Sequence, residues 1–512
     1  MKGLNVGAHA KTREVVFLRA KARCAQMAGS TVWEKEIPFV DLSDEAARRR
    51  FEEFLVSVMR ETYGKYLGGT LNVNYMGLPG LLFYIDDDAG PLLEVLIAYS
   101  FSSVRYRVQL LRPFASSSVV ERVVGFLEGA LRFFAETGGV GVAYFVFVPG
   151  RQIVPPRTES RTRRTLQALL LSNLVFLFAI SMIISYLVYA AFREYAPFAL
   201  VLSQIPLMLI SYKLVPSLMG DWRIDGSHRY VYLVGLRMPL EKYQEVLNKV
   251  IMPRRYEIKR RLYAASLERG EEPSEELVRA MMSEYGLQPE DYEAEIRRVD
   301  LYGIVERVAA RFKTKRLPPV YLSNVVVPNA AASGVGWSLS SVVVTTGLLS
   351  RLDEEEIEAV LGHEFSHLMR HDVVSFFLLS SVEYLSRVYV ITRFWPFFAT
   401  PLGFLYLWFS LTAFFVVAKF VEARADIDSA VLLGKPEKLA SALRKIGFRH
   451  FYLESRGGGR LAAWLRWDPH PPLTFRYEKL LELSTRKVVK EPWREAIASC
   501  LSDLAKSFRA VF

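Results

Sequence analysis

The chain has 512 residues, enough for two or three domains, and carries a formal net charge of +11. Its only cysteines are Cys24 and Cys500, so the class of small disulfide-stapled proteins is excluded. Hydrophobic residues make up 51% of the chain, which is high for a soluble enzyme, and the excess is concentrated in a few segments. The basic groups at residues 253–255 and 259–261 lie near such segments, so solvated helix faces or contact with anionic lipid headgroups explain them more simply than nucleic-acid binding does.

Residues 1–150 mix helical and strand patterns and predict a soluble α+β domain of unknown role. A first helix is expected to end near Tyr63, with an apolar face made of Phe51, Phe54, Leu55 and Met59. β-branched and aromatic side chains bounded by Gly, Ser or Pro predict strands at residues 92–99, 104–111 and 140–148. A second helix is expected at residues 118–136. None of these patterns indicates a reaction.

Four apolar segments are long enough to cross a bilayer, which takes about 20 helical residues. They cover residues 166–192, 195–218, 373–391 and 396–418. We therefore expect about four spans in two hairpins, with a basic linker and the first hairpin at residues 151–222. Glu383 and Arg387 lie four residues apart in the third segment, where an internal ion pair or a side chain reaching the interface is the simpler explanation. A proton or substrate pathway is the alternative.

The charges beside the first segment predict the orientation of the chain in the membrane. Four arginines precede it, whereas the turn after it holds only Arg193 and Glu194; the four are Arg157, Arg161, Arg163 and Arg164. Positive charge favours the cytoplasmic side, so the N-terminus is expected to face the cytoplasm. An even number of crossings then returns residues 220–372 to the same side.

The one His-Glu-x-x-His pattern is formed by His363, Glu364 and His367. Two histidines four apart on a helix lie about 40° apart around its axis, so both imidazoles can reach one metal ion. This is the ligand spacing of zinc, and Glu364 is placed to take a proton from water that the metal has acidified. The chemistry that follows is hydrolysis.

A pattern with three fixed positions also occurs by chance, so its context matters. Asp353 and Glu356 are spaced as a helix N-terminal cap, and the helical stripe that follows consists of Ile357, Val360, Leu361 and Phe365. The pattern is therefore predicted to lie on a helix.

A zinc ion held by two imidazoles needs a third protein ligand. The metzincin pattern is excluded, because Arg370 and Val373 occupy its Gly and His positions. Glu422, directly after the last apolar segment, is the better candidate, whereas His371 reads as a polar residue at the helix end, with a ligand role as the alternative. Asp426 shares a helix face with Glu422 and is predicted to accept a hydrogen bond from a ligating imidazole. An ordinary charged helix leaving the membrane is the alternative for this pair.

Five motifs in the second half of the chain resemble, in order, those of the membrane zinc metalloproteases of the HtpX and C-a-a-X prenyl endopeptidase superfamily, which are gluzincins. They are Asn329-Ala330-Ala331-Ala332-Ser333-Gly334 with residues 342–349; residues 352–356; His363 to His367 with Asp372; Glu422 to Asp426; and Asp468-Pro469-His470-Pro471-Pro472-Leu473 with Arg476. Together they are far more specific than any one of them.

The resemblance implies roles that spacing alone does not. His470 and Arg476 would lie over the metal and stabilise the oxyanion, with a proline-bounded loop carrying a surface histidine as the alternative. The substrate would be bound as an added strand by Asn329, Ala330, Ala331, Ala332, Ser333 and Gly334. This chain has Ala331 where the family has Phe, which changes the detail of the substrate groove and not the metal site.

The predicted protein is an α-helical multi-pass membrane protein with about four spans, a mainly α gluzincin-type zinc-protease domain bearing a small β-sheet, and the N-terminal soluble α+β domain. The protease domain is expected at residues 223–512, with the second hairpin at about 373–419. One Zn²⁺ per chain, with Glu364 as general base, would cleave peptide bonds on the cytoplasmic side of the cell membrane.

About four spans favour the HtpX-like branch and membrane-protein quality control. The alternatives are a selective protease that processes prenylated or other membrane substrates, and a catalytically silent membrane scaffold with a structural zinc site. The expected partners are polypeptide substrates and the lipid bilayer, without nucleic acid, and the oligomeric state is left open.

Overall fold

The structure is a computed structural model that describes residues 23–27, 30–38, 42, 44–87, 90–101, 103–112, 117–153, 174–314, 316–454, 459–485 and 491–511. The four linker arginines and residues 166–173 of the first expected span lie outside the described residues. The chain forms two compact units. The first comprises residues 1–142, 237–245 and 447–460, and the second comprises residues 143–236, 246–446 and 461–512.

The first unit contains a six-stranded antiparallel sheet with the strand order β1-β2-β6-β5-β4-β3. Its strands are β1 Arg23–Met27, β2 Ser30–Pro38, β3 Leu67–Tyr75, β4 Leu78–Asp87, β5 Gly90–Tyr99 and β6 Ser103–Leu110. Two helices, α1 Glu45–Tyr63 and α2 Ser117–Thr137, share one hydrophobic core with one face of this sheet. The predicted apolar face of α1 is buried in that core, and the predicted mixture of helices and strands in this region is confirmed.

Two small sheets consist mostly of residues of the second unit. Strands β7 Val140–Phe147, β9 Tyr230–Pro239 and β10 Glu293–Asp300 form one of them, in the order β10-β9-β7. The other has the order β12-β13-β11-β8 and consists of β8 Trp222–Ile224, β11 Val320–Ser323, β12 Ala330–Gly334 and β13 Ser340–Thr345. β12 pairs antiparallel with β13 and lies at an edge of its sheet.

Helices make up most of the rest of the chain. They are α3 Leu174–Phe192, α4 Ala196–Met219, α5 Leu240–Val246, α6 Met252–Ala265, α7 Glu275–Glu284, α8 Leu301–Arg311, α9 Thr346–Arg351, α10 Glu354–Met369, α11 Asp372–Arg393, α12 Trp395–Phe398, α13 Pro401–Leu433, α14 Pro436–Glu454, α15 Gly459–Leu465, α16 Leu473–Thr485 and α17 Pro492–Val511. Gly447 interrupts α14 with a non-helical backbone conformation.

Among the described residues, three helical segments are long and apolar enough to cross a membrane: Met182–Met219, Asp372–Arg393 and Pro401–Leu433. The first spans 38 residues and includes a 3₁₀ turn at Arg193–Tyr195, between α3 and α4. The predicted ion pair within α11 is present, because Arg387 Nε lies 2.8 Å from Glu383 Oε1. Ser410 of α13 donates to the same oxygen at 3.2 Å.

Helix α10 begins with the predicted cap. Glu356 N–H donates to Asp353 Oδ1 at 2.8 Å, and Asp353 N–H donates back to Glu356 Oε2 at 2.9 Å. The helix packs closely on α13 at Gly362, where an added Cβ would lie 2.7 Å from Ser429 Oγ. Only glycine allows this approach, which brings the histidines of α10 next to the carboxylates of α13.

Candidate metal centre

Three side chains meet between α10 and α13. His363 and His367 project from successive turns of α10, and Glu422 projects from α13 towards them. The two Nε2 atoms are 3.2 Å apart. Glu422 Oε2 lies 3.4 Å from His363 Nε2, and Glu422 Oε1 lies 3.6 Å from His367 Nε2. A segment following the last apolar run thus meets the helix of the motif, as expected for a third ligand.

These spacings suit a tetrahedral metal ion. Zinc bonds of about 2.0–2.1 Å place neighbouring ligands of a tetrahedron about 3.3 Å apart. The two Nε2 atoms are 3.2 Å apart, and the two oxygens of Glu422 lie 3.4 and 3.6 Å from them, which is close to that value. Glu422 Oε2 is buried and accepts no hydrogen bond among the described residues, so a cation would satisfy it. The donor set of two imidazoles and one carboxylate therefore fits zinc.

His363 is supported by a carboxylate and an arginine. Its Nδ1 atom lies 2.9 Å from Asp426 Oδ1, an ion-pair contact that turns Nε2 towards Glu422. Arg476 of α16 donates to Asp426 through Nε and through Nη2, each at 2.7 Å. All three side chains are buried. Arg476 thus neutralises the carboxylate that orients His363.

His367 has a second support of the same kind. Its Nδ1 atom lies 2.7 Å from Asp372 Oδ2 at the start of α11. Arg424 of α13, which is 0% exposed, donates to Asp372 and lies 3.4 Å from Asp428 Oδ2. The indole of Trp493, on α17, lies 5.2 Å from the guanidinium carbon of Arg424. This support therefore extends to the C-terminal helix.

The electrostatics of the site favour positive charge at the ligands. Burial by itself would lower the pKa of His363, but the carboxylates of Asp426 and Glu422 outweigh it and raise that pKa to about 10. Burial likewise opposes the charge on Arg476, yet Asp426 raises its pKa above the ordinary arginine value. A cation at this position replaces a proton that the metal-free site already stabilises.

Glu364 lies beside the three ligands and contacts the edge strand. Ala332 N–H of β12 donates to Glu364 Oε2 at 2.8 Å. Asn329 O accepts from Thr345 N–H of β13, so in the alternating strand the backbone groups of Ala330 and Ala332 face away from β13. The carboxylate of the motif and the open edge of β12 thus face the same space.

His470 lies at the rim of the site. Its Nε2 atom is 3.6 Å from Glu422 Oε2, and its side chain is 54% exposed. Asp468 accepts from the His470 backbone N–H at 2.8 Å and lies 2.9 Å from Nδ1, and this hydrogen bonding lowers the pKa of Asp468 to about 2. Lys419 of α13 donates to the backbone oxygens of Arg466 and Asp468, which holds this loop against the helix.

Most of the site residues expected from the sequence lie together, while Arg476 has an unexpected contact and His371 lies at a helix end, as its main interpretation predicted. Arg476 was expected over the metal, but its Nε and Nη2 bind Asp426, because that buried carboxylate needs a countercharge. His371 has left-handed backbone (φ 57°), and its Nε2 lies against Gly336 rather than within the ligand group.

The sequence did not reveal the roles of Arg424 and Asp428 behind His367, or of Lys419, which binds the loop that carries His470. Lys419, Arg424 and Asp428 are buried charges at the end of a long apolar helix, and Arg424 and Asp428 are one turn apart. Buried charges of this kind are costly unless paired, which was a usable signal. Trp493 gave no signal, because its partner lies 69 positions earlier in the chain.

Comparison with known proteins agrees with this geometry. Residues 295–484 match Peptidase family M48. Protease HtpX homolog 1 of Streptomyces coelicolor is 29% identical over 217 residues, covering 36% of this chain and 71% of that protein. The Protease HtpX homolog of Methanothermobacter thermautotrophicus is 35% identical over 167 residues, covering 31% of this chain and 63% of its own length. Protease HtpX homolog 2 of Methanosarcina mazei is 32% identical over 163 residues, covering 28% of this chain and 54% of that protein.

Proposed function

The chain is an HtpX-like member of peptidase family M48, and we propose that it is a membrane-embedded zinc endopeptidase. The observation that supports this most is the meeting of His363, His367 and Glu422, whose ligand atoms all lie within 4.8 Å of one another beside Glu364. Zinc in this site would supply a Lewis acid that polarises the scissile carbonyl and acidifies water.

In this proposal the two imidazoles and the Glu422 carboxylate hold the metal. Asp426 and Asp372 lie 2.9 and 2.7 Å from the Nδ1 atoms of His363 and His367 and would favour the tautomer with a proton on Nδ1, which leaves each Nε2 lone pair free to hold the ion. Arg476 acts through Asp426, since two of its donors bind that carboxylate. Arg424 acts in the same way through Asp372. These arginines are positioning residues.

Glu364 is the proposed general base. It would accept a proton from the attacking water and pass it to the nitrogen of the leaving amine. Ala332 N–H fixes Oε2 of this carboxylate at 2.8 Å, which leaves Oε1 available for the proton. His470 would donate a hydrogen bond to the oxyanion, because it lies at the rim of the site with Nε2 facing inward.

The substrate would bind as an extended strand along β12. The backbone groups of Ala330 and the C=O of Ala332 face away from β13, while the Ala332 N–H is bonded to Glu364; such an edge recognises the backbone of a peptide rather than its side chains. A peptide on this edge would run past Glu364, beside the three residues that would hold the metal. Asn329, Ala331, Ser333 and Gly334 complete the expected strand.

The site lies on helices that continue into the apolar segments. Residue 372 begins α11, and Glu422 lies in the second half of α13, so chemistry is expected at the membrane surface. We propose four crossings, with the 38-residue segment Met182–Met219 belonging to a hairpin that turns at Arg193–Tyr195. Catalysis on the cytoplasmic side and a role in membrane-protein quality control complete the proposal.

Glu364→Gln tests the assignment, because it keeps the shape of the side chain and removes the base. In detergent, the variant should bind zinc as the unchanged protein does and cleave an unfolded casein-like protein at least ~10³-fold more slowly, since the base is needed in every turnover. Glu355→Gln, on the same helix with its side chain 51% exposed, is the matched control.

A chelator should abolish cleavage by the unchanged protein, and added zinc should restore it. Equal cleavage by the Glu364→Gln variant would remove Glu364 from the mechanism. Zinc binding without any cleavage by the unchanged protein would favour a silent scaffold over an enzyme.

A further inference from the structure

We propose that the open edge of β3 and the groove beside it bind an extended, positively charged polypeptide segment. This surface belongs to the first unit and would hold an unfolded substrate while another part of it is cleaved. The inference therefore rests on the proposed protease function for its purpose, although binding itself is measurable without cleavage.

The first argument is that β3 is an unprotected edge strand. It is the last strand of the six-stranded sheet and pairs with β4 and with no other described strand. Edge strands are normally protected from further pairing by charged residues or proline. The nine residues of β3, Leu-Gly-Gly-Thr-Leu-Asn-Val-Asn-Tyr, include neither. Its register with β4 shifts between Leu67 and Gly69, and from Thr70 to Tyr75 the strand is open to pairing with another extended chain.

The second argument is a groove of about 680 Å³ that runs between α1 and this strand. Thr70 and Asn72 of β3 line it, opposite α1. Their register partners on β4 are Phe83 and Leu81, both in the core beneath the helices. A strand added to β3 would continue the sheet, and every second side chain would point into this groove. One extended peptide could therefore pair with the backbone of β3 and place its side chains in the groove.

The third argument is the charge of the groove. Its helical wall presents Glu52, Glu53 and Glu61 with only Arg60 of opposite sign. Glu52 accepts from the hydroxyl of Tyr99, whereas Glu53 and Glu61 form no hydrogen bond or ion pair among the described residues. Two unpaired carboxylates beside an open strand are complementary to Lys or Arg at alternate positions of an extended peptide.

The same charges disfavour a second copy of this chain as the occupant. Two β3 strands could pair edge to edge, but each would offer the other uncharged groove-side residues, Thr70 and Asn72. That pairing would leave both sets of carboxylates without a countercharge and would bring two acidic helices together. A basic peptide satisfies both the strand edge and the carboxylates.

The test uses full-length Glu364→Gln protein in detergent micelles, so that bound peptides are not cleaved. Two labelled peptides of about ten residues, the length of a strand, share the same apolar residues and carry either Lys or Glu at every second position. Fluorescence anisotropy at low salt should give a Kd about tenfold lower for the Lys peptide. Raised salt should reduce the difference, since screening weakens exposed charge pairs.

Reversing the charges should reverse this preference. In E53K/E61K the Glu peptide should bind more tightly than the Lys peptide, because the net charge of the wall is inverted. E45K, at the start of the same helix where Glu45 pairs with Arg49, is the matched control and should keep the preference. A Lys peptide N-methylated at three consecutive central residues should bind weakly, because it cannot pair with a strand.

Equal affinities of the two peptides, or an unchanged preference in E53K/E61K, would overturn the inference. Tight binding of the N-methylated peptide would show charge attraction without strand addition and would overturn it too. A dimer seen by light scattering, together with no binding of the Lys peptide, would assign the edge to a second copy and would overturn the inference. If the unchanged protein cleaves no protein substrate while the Lys peptide still binds, the protease function is refuted and the groove remains a binding site.

Discussion

The two imidazoles of the candidate metal centre are supported in different ways. Behind His363, Asp426 accepts two hydrogen bonds from Arg476, through Nε and Nη2, at 2.7 Å each. Behind His367, Arg424 is shared between Asp372 and Asp428. The first support is therefore a closed pair, and the second is a branched network.

The branched network involves more of the molecule. Asp428 also accepts from Ser366 at 2.9 Å and lies 3.3 Å from Arg370, both near the end of α10. The Nε atom of Arg424 has no acceptor among the described residues, and the ring of Trp493 lies beside the guanidinium. Helices α10, α11, α13 and α17 thus all contribute to the orientation of His367. One candidate ligand depends on a single ion pair, and the other depends on a network that four helices share.

Replacing Arg424 or Arg476 singly should give the largest losses of stability and should distinguish the two supports. Breaking a buried ion pair costs about 3–5 kcal/mol, because a charge is left without its partner. Arg424→Leu leaves two buried carboxylates and Arg476→Leu leaves one, so we expect the larger fall in Tm for Arg424→Leu. Intrinsic tryptophan fluorescence during heating in detergent measures this.

Arg279→Leu is the control for these two variants, since its pair with Glu275 is 49% and 53% exposed. Its Tm should remain close to that of the unchanged protein. A smaller loss for Arg424→Leu than for Arg476→Leu would mean that the network behind His367 redistributes its charges, contrary to the comparison.

The aspartates should affect metal affinity more than folding. Loss of a carboxylate behind a ligating imidazole typically lowers affinity about 10–100-fold. Asp426→Asn should lie near the upper end of that range, because Arg476 then faces no full negative charge. Asp372→Asn should lie near the lower end, because Arg424 keeps Asp428 at 3.4 Å. Competition for zinc with a chromophoric chelator measures both values.

Equal affinities for zinc in the two variants would indicate that the supports are equivalent despite their geometry. Glu358→Gln serves as the control, because it lies on α10 and pairs with Lys435 rather than with the site. Its zinc affinity should be unchanged.

Local patterns predicted one half of this centre better than the other. Three features depend only on residues close together in the chain, and the structure shows contacts that agree with them. They are the helix spacing of His363 and His367, the cap at Asp353, and the one-turn spacing of Glu422 and Asp426. Helices and strands of the N-terminal region were likewise visible as periodic patterns. Short-range geometry is therefore readable from the chain.

Long-range pairing was not readable in the same way. The partner of Arg476 is 50 positions away, and Arg424 is 52 positions from Asp372. A single sequence carries no signal for which buried charge meets which, because tertiary packing decides it. Trp493 is the extreme case, since an aromatic residue on an amphipathic helix is usually explained by core packing alone.

Trp493 should therefore give the smallest effect and the most specific one. A cation–π contact contributes about 0.5–2 kcal/mol, so Trp493→Ala should weaken zinc binding by a few fold through Arg424, Asp372 and His367. Trp493→Phe should recover part of that loss, because it keeps an aromatic face. Chelator competition on detergent-purified protein measures the affinities, and Tm measured on the same samples reports any general destabilisation.

Ile497→Ala is the matched control, being one turn further along α17 and 37% exposed, close to the 41% of Trp493. It removes apolar packing from the same helix without touching Arg424. If Ile497→Ala lowers zinc affinity as much as Trp493→Ala does, the C-terminal helix acts through packing alone. A loss confined to Trp493→Ala, partly recovered by Phe, means that the aromatic ring itself holds Arg424 against Asp372.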